Sequence, residues 1–138
     1  MFFGVYERQL DERGRVALPA ALRDELGEHC YLYFGDDACV NVQPAETFER
    51  RADELADKVE RGDVSRDRLR AFSATASRVS LDKQGRVTID QRLRELAGLA
   101  PQAPVMVLGS VRHIEIWEPT AYRASEAAGQ AEIAGASA

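Results

Sequence analysis

Two short polar loops hold the residues whose types and spacing could do chemistry: Asp11-Glu12-Arg13-Gly14-Arg15 and Asp82-Lys83-Gln84-Gly85-Arg86. An aspartate can accept hydrogen bonds from the backbone amides of a tight turn, and a glycine supplies positive φ. The β-branched Val16 or Val87 then opens a strand. Each arginine that follows a glycine therefore sits beside a turn tip, with little conformational entropy left to lose. A guanidinium presented in this way can bind phosphate bidentately or donate two parallel hydrogen bonds to guanine O6 and N7. The part expected of Asp11 is to hold the loop or orient Arg15, so its loss would loosen geometry and not delete a contact. A single Asp-x-x-Gly-Arg loop would read as a good turn with a solvated arginine. Two in matched surroundings read differently.

The surroundings match closely. Leu10 to Gly27 aligns without a gap on Leu81 to Gly98, 71 residues later, with 8 of 18 positions identical, including Leu22-Arg23 against Leu93-Arg94. Farther along, Tyr31-Leu32-Tyr33-Phe34 and Val40-Asn41-Val42 read as strands around Gly35-Asp36-Asp37. Val105-Met106-Val107-Leu108 and Ile114-Glu115-Ile116-Trp117 repeat that plan around Gly109-Ser110. A proline follows each hairpin, Pro44 and Pro119. Each copy thus reads strand, turn, strand, short helix, hairpin. The short helices begin differently, with Pro19 expected at a first helical position and Asp90 at an N-cap, and both end near a glycine, Gly27 or Gly98.

These units lie in an α+β, mainly β chain read as one domain, 1–138. The first repeat is 1–61, the linking helix and second repeat are 62–122, and 123–138 is an Ala-, Gly- and Ser-rich tail expected to be a frayed helix followed by disorder. Between the repeats, Ala45 to Arg61 and Ser65 to Ala76 carry apolar residues at helical spacing, separated by Gly62-Asp63. Neither half could bury a sufficient core alone, so the copies are expected to interlock as a mixed β-barrel. Phe48, Phe72, Trp117 and Tyr122 read as core or interface residues. Phe2 and Phe3 are expected to be buried against a neighbouring subunit.

Composition narrows the classes. Hydrophobic residues make up 45% and charged residues 30%, the balance of a soluble globular chain. No apolar run approaches the roughly 20 residues that cross a bilayer, and the first residues lack a signal-peptide pattern, so a cytoplasmic protein is expected. Cys30 and Cys39 form no C-x-x-C pair and read as reduced, buried thiols; with only His29 nearby, neither metal nor cofactor is expected. No Ser-His-acid arrangement or Gly-rich phosphate loop supports an enzyme, and no small-molecule substrate is expected. The net charge of −5 argues against nucleic acid, but it is polarised: 46–63 is acidic, whereas 66–94 is rich in arginine. Arg66, Arg68 and Arg70 read as a solvated face or an ion-pair surface between helices.

Taken together, Leu10-Asp11-Glu12-Arg13-Gly14-Arg15-Val16-Ala17-Leu18-Pro19, Leu81-Asp82-Lys83-Gln84-Gly85-Arg86, the opening Phe3-Gly4 and the closing Ile114-Glu115-Ile116-Trp117 resemble the MraZ family of bacterial transcriptional regulators over almost the whole chain. The resemblance implies an AbrB-like swapped-hairpin β-barrel with short peripheral helices and subunits assembled into a ring. It also implies a nucleoid-associated repressor that binds direct repeats of double-stranded DNA upstream of the division and cell-wall gene cluster. Carried over residue by residue, it makes Arg13, Arg15, Lys83 and Arg86 the DNA-facing positions. Asp11, Gly14, Asp82 and Gly85 then shape the loops. The family often has proline at the position of Asp90, and Gln84 stands where the first turn has Arg13, which implies weaker binding by the second turn. A ring favours direct repeats over a palindrome, and several weak basic tips then contribute together through high effective concentration. The competing reading is a ring-shaped protein-interaction scaffold whose turns are only structural.

Overall fold

Both polar loops fold as tight turns: the first joins β1 (Val5–Gln9) to β2 (Arg15–Ala17), the second joins β5 (Ser77–Val79) to β6 (Arg86–Thr88). This geometry comes from a computed structural model, which describes residues 1–135. Each β-turn unit leads into a short helix, α1 (Ala20–Arg23) or α4 (Gln91–Leu96), and then a hairpin, β3 (Cys30–Phe34) with β4 (Val40–Pro44) or β7 (Pro104–Gly109) with β8 (Ile114–Trp117). The predicted helices between the copies are α2 (Ala45–Glu60) and α3 (Arg66–Thr75), and α5 (Pro119–Ile133) closes the second copy.

The two copies exchange strands. β1 of the first copy pairs with β7 of the second, and β5 of the second pairs with β3 of the first. At the middle, β2 and β6 pair antiparallel with Val16 opposite Val87, so a local two-fold axis runs between the repeats. The larger sheet has six strands in the order β1-β7-β8-β4-β3-β5, all antiparallel, and β2 with β6 forms a separate two-stranded ribbon. Hydrogen bonding therefore does not close the expected barrel. β1 and β5 remain sheet edges, because β2 and β6 pair with each other and with no strand of the larger sheet.

Alternation along each strand explains where the core sits. Leu32, Val40, Val42, Val105, Val107, Ile114 and Ile116 join Leu10, Val16, Leu18, Leu22, Val87, Ile89 and Leu93 in one buried cluster drawn from both copies. Each such side chain stabilises the fold by roughly 1.5–3 kcal/mol relative to leaving it in water. The opposite face of the sheet carries Tyr33, which meets Phe48 of α2 and Phe72 of α3 at ring-centroid distances of 5.0 and 5.3 Å. Trp117 meets Tyr122 of α5 at 6.0 Å. The four aromatic side chains named above as core or interface residues thus pack within the chain. So does Phe2, which is buried and bridged to Val111, against the expectation of a neighbouring subunit; its partner in sequence, Phe3, is 62% exposed.

Caps set the helix boundaries. Ser65 Oγ accepts from the Arg68 amide at 3.1 Å, and Asp90 Oδ1 accepts from the Leu93 amide at 2.9 Å. Pro19, expected inside the first turn, is instead the cap residue of α1. Its ψ of 141° is extended, and its carbonyl accepts from the amides of Leu22 and Arg23, both at 2.9 Å. α5 begins with Pro119 behind Glu118, whose carboxylate accepts from the amides of Thr120 and Ala121. The stretch read as a tail from 123 is regular helix as far as Ile133, and the expected disorder at 136–138 lies outside the described residues.

Candidate functional site

The two turns are near copies in atomic detail. In the first, Asp11 Oδ1 accepts from the amides of Arg13 at 2.9 Å and Arg15 at 2.8 Å, and Oδ2 accepts from Arg15 Nε at 2.7 Å. In the second, Asp82 Oδ1 accepts from the amides of Gln84 and Arg86, both at 2.9 Å, and Oδ2 accepts from Arg86 Nε at 2.8 Å. The aspartate spacing is thus explained by one carboxylate doing two jobs. One oxygen closes the turn, and the other holds the arginine four residues on.

Gly14 and Gly85 have φ of 76° and 74°, a region that costs an L-residue roughly 1–2 kcal/mol. Their amides donate back to the carbonyls of Asp11 and Asp82. The turns also hold each other: the Ile89 amide donates to the Gly14 carbonyl at 2.9 Å, and the Leu18 amide donates to the Gly85 carbonyl at 3.0 Å. Arg86 Nη1 lies 3.8 Å from Asp11 Oδ2, so the guanidinium of the second turn faces the carboxylate of the first.

Placement of the candidate residues follows from this frame. Arg15 and Arg86 are about a quarter exposed, with side-chain accessibilities of 26% and 27%, and each spends its Nε on its own aspartate. Arg13 and Lys83 are exposed, and no side-chain hydrogen bond or ion pair engages either of them among the described residues. The antiparallel ribbon of β2 and β6 sets Arg15 opposite Thr88 and Arg86 opposite Ala17, so the two turns enter it from opposite ends. Arg68, by contrast, pairs with Asp36 of the β3–β4 loop at 2.9 Å and Arg70 with Asp67 of its own helix at 3.0 Å, so neither pair joins two helices.

Electrostatics favour charged turns. The Arg15 amide is the chief cause holding the Asp11 carboxyl below the usual aspartate range, and the Arg86 amide does the same for Asp82. A lowered native pKa means the turn contributes stability above the ordinary value and loses it as pH falls through the lower native one. The amide resonances of Arg13, Arg15, Gln84 and Arg86 should therefore shift with a midpoint below the ordinary aspartate value of about 3.9. Titration of these amides between pH 5 and 7 would contradict the assignment.

Sequence reasoning missed two residues at this site. Arg94 Nε donates to the Ile89 carbonyl at 2.9 Å and lies against Gly14. Arg23 Nη1 donates to the Leu18 carbonyl at 3.3 Å and lies against Gly85. The repeated Leu-Arg pairs were the available signal. Elsewhere, burial raises the thiols of Cys30, to about 11, and Cys39, as expected for buried, free cysteines. His29 Nδ1 sits 3.1 Å from Ser80 Oγ, and His113 Nε2 sits 2.8 Å from Glu115 Oε2. Among the described residues no group of three or more His, Cys, Asp or Glu side chains is placed to hold a metal, and no helix is long and apolar enough to cross a membrane.

A duplicated β-turn unit with strands exchanged between copies, displaying two aspartate-locked arginine turns across a local two-fold axis, defines the class of protein. The family model described as "MraZ protein, putative antitoxin-like" matches residues 1–70 and again 72–136. Similar chains include proteins named transcriptional regulator MraZ. The one from Nocardioides sp. is 40% identical over 96% of this chain and 91% of its own length. The one from Cutibacterium acnes is 40% identical over 87% and 83%, and the one from Corynebacterium urealyticum 36% identical over 97% and 92%. The chain belongs to the MraZ family, whose members carry the name of a regulator of transcription and not of an enzyme class.

Proposed function

We propose that the protein is a sequence-specific DNA-binding repressor that acts as an oligomeric ring on direct repeats in its own promoter, upstream of the division and cell-wall gene cluster. The observation that carries this reading is the pair of aspartate-locked turns. Each fixes an arginine beside the tip of a tight turn by its Nε; the rest of the Arg15 guanidinium is left for a partner, while Arg86 Nη1 also faces Asp11 at 3.8 Å. Arg15 and Arg86 read bases or clamp phosphates, and Arg13 and Lys83 add phosphate contacts. The exchanged strands support placing the fold with AbrB-like swapped-hairpin barrels. The protein works in the cytoplasm on the nucleoid.

The test is binding to duplex DNA from upstream of its own gene beside a scrambled duplex, at several salt concentrations. Preference for the promoter with affinity falling steeply as salt rises is the expected result. An intact oligomer that ignores both duplexes at low salt would replace this reading with the interaction scaffold. For the ring, the apolar patch of Phe3, Val5 and Val111, which are 62%, 42% and 44% exposed, supplies surface for a neighbouring subunit. Phe3→Ala is expected to shift the assembly toward smaller species in light scattering with the thermal transition unchanged. An assembly of unaltered size would remove this patch from the interface.

A further inference from the structure

We infer that Arg23 and Arg94 are positioning residues that brace each turn from the opposite copy, so that the two turns move as one unit. Each arginine is anchored on its own copy, Arg94 on the Ile89 carbonyl and Arg23 on the Leu18 carbonyl. Those same residues, Ile89 and Leu18, donate their amides across the axis to the carbonyls of Gly14 and Gly85. The guanidinium therefore lies over a backbone junction between copies and covers the turn that belongs to the other one.

The glycines are shaped for this contact. A Cβ at Gly14 would stand 2.8 Å from Arg94 Nε and 2.9 Å from the Ile89 carbonyl oxygen. A Cβ at Gly85 would collide with Arg23 Nη1 and stand 2.9 Å from Arg23 Cδ. Glycine is thus required twice at each turn, once for positive φ and once for the slot that the opposite arginine fills. Both glycines are buried although they sit in polar turns, while Arg23 and Arg94 are only half-buried. A planar guanidinium suits a slab-like slot between backbone groups better than an ammonium does.

A brace of this kind changes how the turns meet a ligand. Each turn alone is a short loop closed by one carboxylate. Joined through Arg23, Arg94 and the two cross-axis amides, the readers keep one spacing, and less order has to be imposed when they bind. This inference rests on the DNA-reading proposal for its consequence, but its geometry is testable without DNA.

The experiment compares Arg94→Ala and Arg23→Ala in the full chain, with Arg94→Gln as a milder variant should Arg94→Ala lower folding yield. Amide hydrogen exchange and shifts read the turns directly. Arg94→Ala is expected to accelerate exchange at Arg13 to Arg15, nearly 80 residues away in sequence, more than at Gln84 to Arg86; Arg23→Ala should do the reverse. Changes confined to each arginine's own copy, or none, overturn the brace whether or not the protein binds DNA. With the promoter duplex, each variant should bind roughly tenfold more weakly at an unchanged slope of log affinity against log salt. A slope shallower by about 0.9 per lost contact would make these arginines direct phosphate ligands and overturn the positioning role. Loss of preference for the promoter by the unaltered protein, with the crossed exchange pattern intact, would defeat the DNA-reading proposal and leave the brace standing.

Discussion

Replacing Arg15 and Arg86 together by alanine is expected to weaken promoter binding by between roughly 30-fold and roughly 20,000-fold, since a well-placed bidentate arginine is worth about 1–3 kcal/mol. The fold should barely notice. Each guanidinium is partly exposed and pairs with the aspartate of its own turn, Arg86 also at 3.8 Å with Asp11, and partly exposed pairs of this class contribute about 0–1 kcal/mol each. Isothermal titration or fluorescence anisotropy on the promoter duplex, beside thermal unfolding, separates the two effects. Equal binding by the variant would remove the arginines as readers. Asp11→Ala supplies a test of sign. Coulomb's law alone says that deleting an anion beside the phosphates should tighten binding. The geometry says otherwise, because Asp11 is bonded to two turn amides and to Arg15 Nε. Weaker binding is expected, and tighter binding would mean that the carboxylate repels DNA more than it shapes the turn.

The turns were legible in the sequence because everything that forms them is local. One aspartate, one glycine and one arginine within five residues contain the whole hydrogen-bond pattern, and the strict 71-residue repeat then supplied the second site. The cap at Asp90 and the helix it starts are local in the same sense. What lay beyond reach crosses the axis. Leu22-Arg23 and Leu93-Arg94 were visible as identities, but nothing in their spacing says that each arginine lies on the other copy's glycine. Pro19 fits a first helical turn and a cap equally well by φ, and only its ψ decides. Closure of the barrel was not decided by pattern either. Alternation in β2 and β6 marks which side chains turn inward, and leaves open whether three residues pair with each other or extend a larger sheet. Phe2 and Phe3 look alike in sequence. The bridge of Phe2 to Val111 sends one ring into the core and leaves the other outside.

Residues 1–63, expressed alone, are expected to form no stable folded monomer. Of the ladders that the first copy makes, β1 loses β7, β2 loses β6, β3 loses β5 and β4 loses β8, so that only β3 with β4 survives. A lone two-stranded hairpin is marginal in water. The apolar loss points the same way: Val87, Ile89, Leu93, Val105, Val107, Ile114 and Ile116 all lie beyond the cut, and their removal uncovers Leu10, Val16, Leu18, Leu32, Val40 and Val42. At roughly 1.5–3 kcal/mol for each of these uncovered side chains, the loss is about 9–18 kcal/mol, comparable to the whole 5–15 kcal/mol by which a domain is typically stable. Circular dichroism should show no cooperative transition for the dilute fragment, and mixing it with residues 64–138 should restore one. The local two-fold axis allows one other folded outcome, a homodimer in which each fragment lends its β1 to the other's hairpin; sedimentation would show it as twice the fragment mass, with stability that rises with concentration. A fragment that melts cooperatively as a monomer would mean the exchanged strands are dispensable, and that the two reading turns are not built as one unit.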